Sequence, residues 1–555
     1  MRLIECIPNF SEGRNRDIID AITGEIEATE KAVLLDVDPG EATNRTVVTF
    51  VGPPEAVEKA AFRAISKAAQ LIDMRQHNGE HARMGATDVC PFVPISGVTV
   101  EECVELARKL GKRVADELGI PVYLYEKAAA NADRCNLADI RKGEYEGLEK
   151  KLADPDWKPD FGVPAFNVRS GATVIGVREF LIAYNVNLNT RNKKLAKEIA
   201  LNIREKGRFK RDADRKKIRG PDDTFLRQVG TLKAVKATGW YIEEYGIAQV
   251  SINLVDTTVT SIHQAFDECC RQAESLGVRV TGSEIVGLVP LSAMVAAGRH
   301  YLEKQGECSG VSERELIAIT VLSLGLNDLY RFEPDQKVIE FRVREPLPLG
   351  SLELPAFLDE LASSSPAPGG GSAAALAGST AGALVSMVAN LAFSTRKLVA
   401  KRELNDTVAV AAQNLKDRLL LKVDEDAASF NAVLAARRMK KKTEAQKIAR
   451  AAAVATAVRR ATELPLSVME LAQEVAELAV SAMEICNPSS ATDAGCAGHM
   501  AVSAAQCAYL NVLVNLNDIE DKALALKVKE RAEEHLKATI EANGNLQIKV
   551  KADMG

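Results

Sequence analysis

Residues 53–95 read PPEAVEKAAFRAISKAAQLIDMRQHNGEHARMGATDVCPFVPI, and their periodicity decides the fold. Pro53 to Leu71 carries apolar residues at helical spacing behind a Pro-Pro start, the pattern of an amphipathic helix. Val89 to Ile95 is an apolar run of strand length. The loop between them packs two of the chain's six histidines, two arginines and three carboxylates around two glycines. A loop that dense in titratable groups, held between regular elements, is where chemistry usually sits.

Upstream, Leu3 to Ile7 reads as a strand, Arg14 to Glu27 as a helix, and Val33 to Val37 and Arg45 to Val51 as strands. The order is β-α-β-β-α-β, the ferredoxin-like arrangement. A further helix, Thr99 to Leu118, and strand, Val122 to Tyr125, extend it. The order recurs downstream. Strands at Phe180 to Leu188, Leu232 to Tyr241, Ala248 to Leu254 and Val278 to Val289 alternate with helices at Lys193 to Lys206 and Ser261 to Leu276. Between the two repeats lies Asp154 to Gly171, rich in Pro, Gly and Asp, which reads as a linker or a ligand loop. From Pro346-Leu347-Pro348-Leu349-Gly350 onward the chain becomes alanine-rich and helical. The expected organisation is two α/β subdomains (1–178 and 179–335), a linker (336–350) and an all-α helical-bundle domain (351–555).

The 555 residues exceed what one core can hold. With 46% hydrophobic and 26% charged residues and a net charge of -5, the composition is that of a globular protein with no nucleic-acid partner. The basic run Arg208 to Arg219 reads as a solvated loop, or as a grip for an anionic substrate tail. Ten scattered cysteines without a C-x-x-C pair point to reduced thiols and a cytoplasmic location. The N-terminus enters a strand at once and does not read as a signal peptide. Ser372 to Thr395 is uncharged and carries Gly378-x-x-x-Gly382, but it is Ala/Gly/Ser-rich. It is expected as a buried helix at a close helix contact and a subunit contact, not as a membrane span.

His77 to His81 spells H-x-x-E-H, a zinc pattern that needs a helix to stack its imidazoles, whereas Asn78-Gly79 argues for a turn. The alternatives are a polar turn and a metal-free acid/base loop. Asp36 and Asp38, at i and i+2 near a strand end, point to one face of a sheet. Asn9 ends the first strand and Arg45 opens the third. In the helical half, Pro366 to Ser372 (PAPGGGS) brings bare backbone to a helix start, as an anion seat or a tight turn. Leu419, Val423, Asp426, Phe430 and Val433 fall on one helical stripe, so Asp426 is a carboxylate in an apolar face. Asp424 should point outward. Asp493, Asn511 and Asn515 are candidate partners for Asp426.

These residues carry a family resemblance: Ile7 to Gly13 (IPNFSEG), Thr43 to Val47 (TNRTV), Gly79-Glu80-His81, Arg83-Met84-Gly85, Asp88 to Phe92 (DVCPF), Pro121 to Tyr125 (PVYLY), Ala367 to Ser372 (APGGGS), Val423 to Asp426 (VDED) and Asn511 to Leu516 (NVLVNL). The chain resembles the formiminotransferase–cyclodeaminase family over essentially its whole length. The resemblance implies a bifunctional folate enzyme of histidine degradation. It would move a formimino group from N-formimino-L-glutamate to tetrahydrofolate, bare or polyglutamylated. It would then close the 5-formimino product to 5,10-methenyltetrahydrofolate and expel ammonia. The implied transferase base is His81 and the implied cyclodeaminase acid is Asp426.

The implied folate loop is Gly162, Val163, Pro164, Ala165, Phe166, Asn167, Val168, Arg169, Ser170 and Gly171. Arg45 and Arg83 are candidates for the donor's carboxylates, and Asp36 and Asp38 for the imidazole or the amidinium. The family uses no metal and assembles as a homo-octamer. The Arg208 to Gln228 segment looks longer than the animal form of the family has. Two other readings compete: an oligomeric folate-binding protein retaining only one activity, and a metal-dependent hydrolase using His77 and His81.

Overall fold

The computed structural model describes residues 2–41, 43–79, 82–344, 347–519 and 521–554. They form two compact units, Met1–Ala293 with Leu324–Arg344, and Met294–Ser323 with Glu345–Gly555.

The first unit begins β1 (Leu3–Cys6), β2 (Asn9–Phe10), α1 (Arg16–Glu27), β3 (Val33–Gly40), β4 (Arg45–Gly52), α2 (Pro54–Leu71) and β5 (Thr87–Ser96). Its antiparallel strands lie in the order β3, β4, β1 with β2, β5, which is the ferredoxin-like order. α3 (Val100–Leu118) and β6 (Val122–Glu126) follow, then the short helices α4 (Leu137–Ile140) and α5 (Leu148–Leu152), then β7 (Thr173–Val177). β7 inserts between β5 and β6, parallel to both. The sequence reading had no strand there, because the Pro/Gly-rich run before Thr173 dominates the local pattern.

Local chemistry sets the helix ends. Asn15 caps α1 through Asp17 N–H, and Thr99 with Glu102 forms a capping box on α3. Val57, Ala60, Ala61, Ala64, Ile65 and Ala68 turn one face of α2 into the sheet with no exposed surface. Burying a side chain such as Ile65 stabilises by roughly 1.5–3 kcal/mol.

The second ferredoxin-like element is β8 (Ile182–Leu188), α6 (Lys193–Ile203), β9 (Arg208–Phe209), β10 (Arg227–Gln228), β11 (Val235–Ile242), β12 (Ile247–Leu254), α7 (Ile262–Ser275) and β13 (Val280–Val286). Its main sheet runs β11, β12, β8, β13, all antiparallel. The Arg208 to Gln228 excursion is a separate two-stranded ribbon, where Lys217 lies over the rings of Phe209 and Phe225.

α8 (Leu291–Gln305) and α9 (Glu313–Ser323) follow, then α10 (Pro334–Lys337) and α11 (Ile339–Val343). The expected linker of 336–350 is therefore structured in its first part. Val338 pairs with Val289, Ile339 is fully buried, and Arg342 donates to the Leu35 carbonyl at 2.9 Å. Those apolar residues hold the chain through Arg344 in the first unit. Residues 294–323, expected in the second α/β subdomain, group with the helical unit, and Cys308 lies in its core.

The helical unit adds α12 (Leu354–Leu361), α13 (Gly370–Phe393), α14 (Arg402–Arg438), α15 (Glu444–Ile485), α16 (Ala491–Leu516) and α17 (Lys522–Met554). α13 is long and apolar enough to cross a membrane, yet 56% of its most apolar window is buried inside the fold. Its glycines explain the packing. A Cβ on Gly378 would sit 3.1 Å from Leu419 and 3.4 Å from Ala504, and one on Gly382 would sit 3.1 Å from the Lys416 nitrogen. α14 thus approaches α13 at backbone distance, and α16 packs on it through the small side chain of Ala504.

Candidate functional site

In the first unit the site grows around a turn. Asn44, with φ +47°, closes the β3–β4 connection in the left-handed region that asparagine tolerates. Its Oδ1 accepts the Gly13 N–H at 3.0 Å, and its Nδ2 donates to the Asn78 carbonyl at 2.9 Å. Its own carbonyl lies 2.8 Å from His77 Nε2. Arg83 Nε–H donates to His77 Nδ1 at 3.2 Å, so Nδ1 is the acceptor and Nε2 carries the proton. Burial pushes the His77 pKa below its ordinary value, in keeping with a neutral ring.

His77 is thus a neutral strut with both nitrogens engaged. α2 ends at Leu71, and His77 follows it outside any helix. Among the described residues no three His, Cys, Asp or Glu side chains group as metal ligands. His81, the candidate base, and Glu80 lie outside the described residues.

Arg83, a candidate for the donor's carboxylates, is held by protein groups. Its Nη1 donates to Glu144 at 3.0 Å and Glu146 at 2.8 Å, its Nη2 to Glu146 at 2.6 Å and the His77 carbonyl at 3.4 Å. With Nε on His77, all five guanidinium N–H groups are used. Glu146 in first place raises its pKa. Arg83 clamps the histidine loop and has no donor left for a substrate.

Asp36 and Asp38 are exposed on one face of edge strand β3, opposite Thr49 and Val47, as their spacing implies. Arg45 is half-buried, and burial lowers its pKa while Asp88 and Asp38 oppose that. Asp88 has no exposed surface; it accepts the Met84 N–H at 2.9 Å and two N–H groups of Arg141. The structure therefore brings Asp38, Arg45, Asp88 and Arg141 into one charge network. Asp88 and Arg141 were missed as site residues; their signal was a lone carboxylate just before a strand and an arginine 53 positions on.

Gly162 to Gly171 ends against the 84–86 segment, where Gly85 bridges Gly171. Asn167 braces the loop: Nδ2 donates to the Gly119 carbonyl at 3.1 Å, and Oδ1 accepts the Ser170 N–H at 3.0 Å. Met74 N–H donates to the Arg169 carbonyl at 2.9 Å, and Ala86 N–H to the Ser170 carbonyl at 2.9 Å. Arg169 caps the last carbonyls of α2 at Ala69 and Gln70. The Tyr145 hydroxyl donates to the Val168 carbonyl, and its ring lies 5.3 Å from that of Phe166. Gly171 has φ +68°, and a Cβ there would lie 2.1 Å from the Met84 carbonyl. Val163, Pro164, Ala165 and Val168 are left exposed, an apolar run along the loop.

The helical unit holds the second site. Asp426 on α14 meets the start of α13. Ser372 Oγ lies 3.0 Å from Asp426 Oδ2, and a Cβ on Gly371 would lie 2.2 Å from Oδ1. Asn511 of α16 lies beside Gly370, its Nδ2 3.6 Å from a Cβ placed there. Burial raises the Asp426 pKa, opposed by hydrogen bonding to Ser372. Leu419, Val423 and Val433 are buried as expected, but Phe430 is 42% exposed. α13 begins beside Asp426, which is intermediate in exposure.

Three further expectations change. Asp424 does not point to solvent: it accepts the backbone N–H groups of Leu349 and Gly350, each at 2.8 Å. Asp493 lies 18 residues before Asn511 on α16, about 27 Å away along the axis, and is no partner of Asp426. Asn515 donates to the Ala461 carbonyl at 2.7 Å and serves α15 instead.

Family models match in sequence along the chain. Residues 3–178 match the N-terminal subdomain of the formiminotransferase domain, 183–344 the formiminotransferase domain, and 353–534 the formiminotransferase-cyclodeaminase model. A formimidoyltransferase-cyclodeaminase of Sus scrofa is 44% identical over 541 residues, 96% of this chain and 95% of that protein. The chain belongs to the formimidoyltransferase-cyclodeaminase family. A member from Dictyostelium discoideum is 39% identical over 97% of this chain and 96% of that protein. A glutamate formimidoyltransferase of Thermoplasma acidophilum is 43% identical over 57% of this chain and 98% of that protein. Part of this chain thus matches almost the whole of a protein named for the transferase alone.

Proposed function

We propose that the chain carries out two consecutive folate reactions, one in each unit. In the first, N5 of tetrahydrofolate attacks the amidine carbon of N-formimino-L-glutamate. The N5–C bond forms, the C–N bond to glutamate breaks, and 5-formiminotetrahydrofolate and L-glutamate result. His81 takes the N5 proton and returns one to the departing glutamate nitrogen. The carboxylate–guanidinium network of Asp38, Arg45, Asp88 and Arg141 supplies the charges for an amidinium and a carboxylate. The apolar run of Val163 to Val168 suits the flat face of a pteridine. Asp36 remains a second candidate for the amidinium.

In the second reaction N10–H adds across the C=NH bond of the 5-formimino group, and Asp426 relays the proton from N10 to the imino nitrogen. The C–NH2 bond then breaks. Its electrons leave with the nitrogen as ammonia, with a proton from the acid form of Asp426. The remaining 5,10-methenyl cation spreads over N5 and N10. The observation that carries this reading is Asp426 itself: a carboxyl seated against Ser372 and Gly371 at the start of α13, pushed up in pKa by burial, with no ionic partner among the described residues.

We place the enzyme in histidine degradation and in the cytoplasm, where its ten cysteines stay reduced. We propose that it takes folate with or without a polyglutamate tail and works as a homo-oligomer, the octamer of its family. Exposed apolar pairs one turn apart favour self-association: Leu354 with Leu358, Met387 with Leu391, and Leu510 with Val514. Light scattering of a monodisperse monomer at micromolar concentration would contradict it.

The two-site reading is tested by His81→Ala. This variant should lose formimino transfer yet convert supplied 5-formiminotetrahydrofolate at the parent rate. Loss of both activities in a folded variant would sink it.

A further inference from the structure

A hydroxyl group has one proton to give, and Ser372 has two oxygens within reach. Its Oγ lies 3.0 Å from the Val423 carbonyl and 3.0 Å from Asp426 Oδ2. The side chain has no exposed surface, so water does not supply a substitute partner. The Val423 carbonyl can only accept. If Ser372 gives it the proton, the face of Oγ toward Asp426 is a lone pair. A carboxylate oxygen would be repelled there, whereas a carboxylic acid O–H would donate into it.

We propose that Ser372 is a positioning residue for ring closure, oriented by the Val423 carbonyl so that it receives the proton of Asp426 and holds that residue as an acid. The Ser372 backbone N–H also bonds the carboxyl and draws its pKa down against burial; a carboxylic acid can accept that N–H at one oxygen while donating from the other. Gly371 lets the backbone come this close, since a Cβ there would lie 2.2–2.6 Å from the carboxyl atoms. This inference rests on Asp426 being the acid of the second reaction, and it names what keeps the proton in place.

The charged surroundings are accounted for. On α14, Lys422 pairs with Glu425 at 2.8 Å, and Asp424 is taken by Leu349 and Gly350. α13 offers Gly370, Gly371 and Ser372, with the partial positive charge of a helix start. α16 offers the neutral Asn511. α15 runs antiparallel to α14, as the Arg450–Arg437 and Arg418–Glu474 contacts show, and at this level carries the Arg459–Glu463 pair at 2.8 Å. None of these groups is a leading influence on Asp426, which burial pushes up against the hydrogen bonds of Ser372.

The test is the pH profile of ring closure by the full-length chain on supplied 5-formiminotetrahydrofolate, for the parent, Ser372→Ala and Asp426→Asn. Removing an acceptor for the acid proton should move the basic limb of the profile down by about one pH unit, with formimino transfer unchanged. If Ser372 instead donates to a carboxylate, its loss moves that limb up, and the proposal is overturned. An unmoved limb overturns it as well. Asp426→Asn separates the two ideas: if that variant still releases ammonia, the acid itself is misassigned whatever Ser372 does. Infrared difference spectra of the unaltered enzyme keep the test open should Ser372→Ala not fold. The proposal requires a protonated-carboxyl band at neutral pH that Asp426→Asn abolishes, and absence of that band refutes it.

Discussion

Gly371→Ala puts one methyl group into the second site. The added carbon would stand 2.2 Å from Asp426 Oδ1 and 2.6 Å from Cγ. Ordinary contact begins near 3.4 Å, so carboxyl and helix start must separate by about 1.2 Å (3.4 minus 2.2). Overpacking of this kind costs about 1–3 kcal/mol, while alanine in place of helical glycine returns up to about 1 kcal/mol. The net loss of stability is therefore small, roughly 0–2 kcal/mol. The kinetic effect should be larger, since a displacement of about 1 Å at a reacting group can cost on the order of a hundredfold. The assay is methenyltetrahydrofolate absorbance with supplied 5-formiminotetrahydrofolate, beside a separate measurement of formimino transfer. Closure should fall about a hundredfold, with transfer and folding retained. A variant that closes the ring within about threefold of the parent would show that the seat of Asp426 is not the catalytic geometry.

Asp424→Asn should destabilise the helical unit by roughly 1–3 kcal/mol, because an amide can accept only one of the Leu349 and Gly350 N–H groups and turns a donor toward the other; urea denaturation within about 0.5 kcal/mol of the parent would contradict this. Arg83→Gln should raise the KM and lower the kcat of transfer together while leaving ring closure intact, since it releases Glu144, Glu146 and His77 at once; a change in KM alone would return Arg83 to the role of substrate ligand. Glu5 is buried and its pKa is pushed up to about 7, with Arg178 opposing. Its contribution to stability is fully present below the ordinary carboxylate pKa and is lost as the pH rises through about 7. Glu5→Gln should therefore stabilise the first unit by about 1–3 kcal/mol at pH 8 and by little at pH 4.5. Equal effects at the two pH values would refute the shift.

The fold was legible where periodicity is strong. Pro53 to Leu71 and the βαββαβ order follow from apolar spacing, because helix and strand faces must each meet one core. β7 was hidden because a parallel strand inserted by a long excursion leaves no hairpin signal. The helical phase of α14 placed Asp426 on the apolar stripe, and the structure puts it there at the edge of the core. The same phase sent Asp424 to solvent, because a helix projected alone cannot know that the 347–350 segment folds back onto it. Asn511 was named from its face and lies beside the seat of Asp426, whereas Asp493 shares its helix but not its level. Arg83 and Arg45 were both read as substrate ligands. Which arginine is consumed by Glu144 and Glu146, 61 and 63 positions away, is a tertiary fact that spacing does not carry.

The division of labour between the units has one most direct test. Full-length Asp426→Asn, given N-formimino-L-glutamate and tetrahydrofolate, keeps the shape of the side chain and removes its proton. The expected result is release of L-glutamate at the parent rate with 5-formiminotetrahydrofolate accumulating, and neither ammonia nor methenyltetrahydrofolate absorbance appearing. Formation of both products at the parent rate would contradict the account.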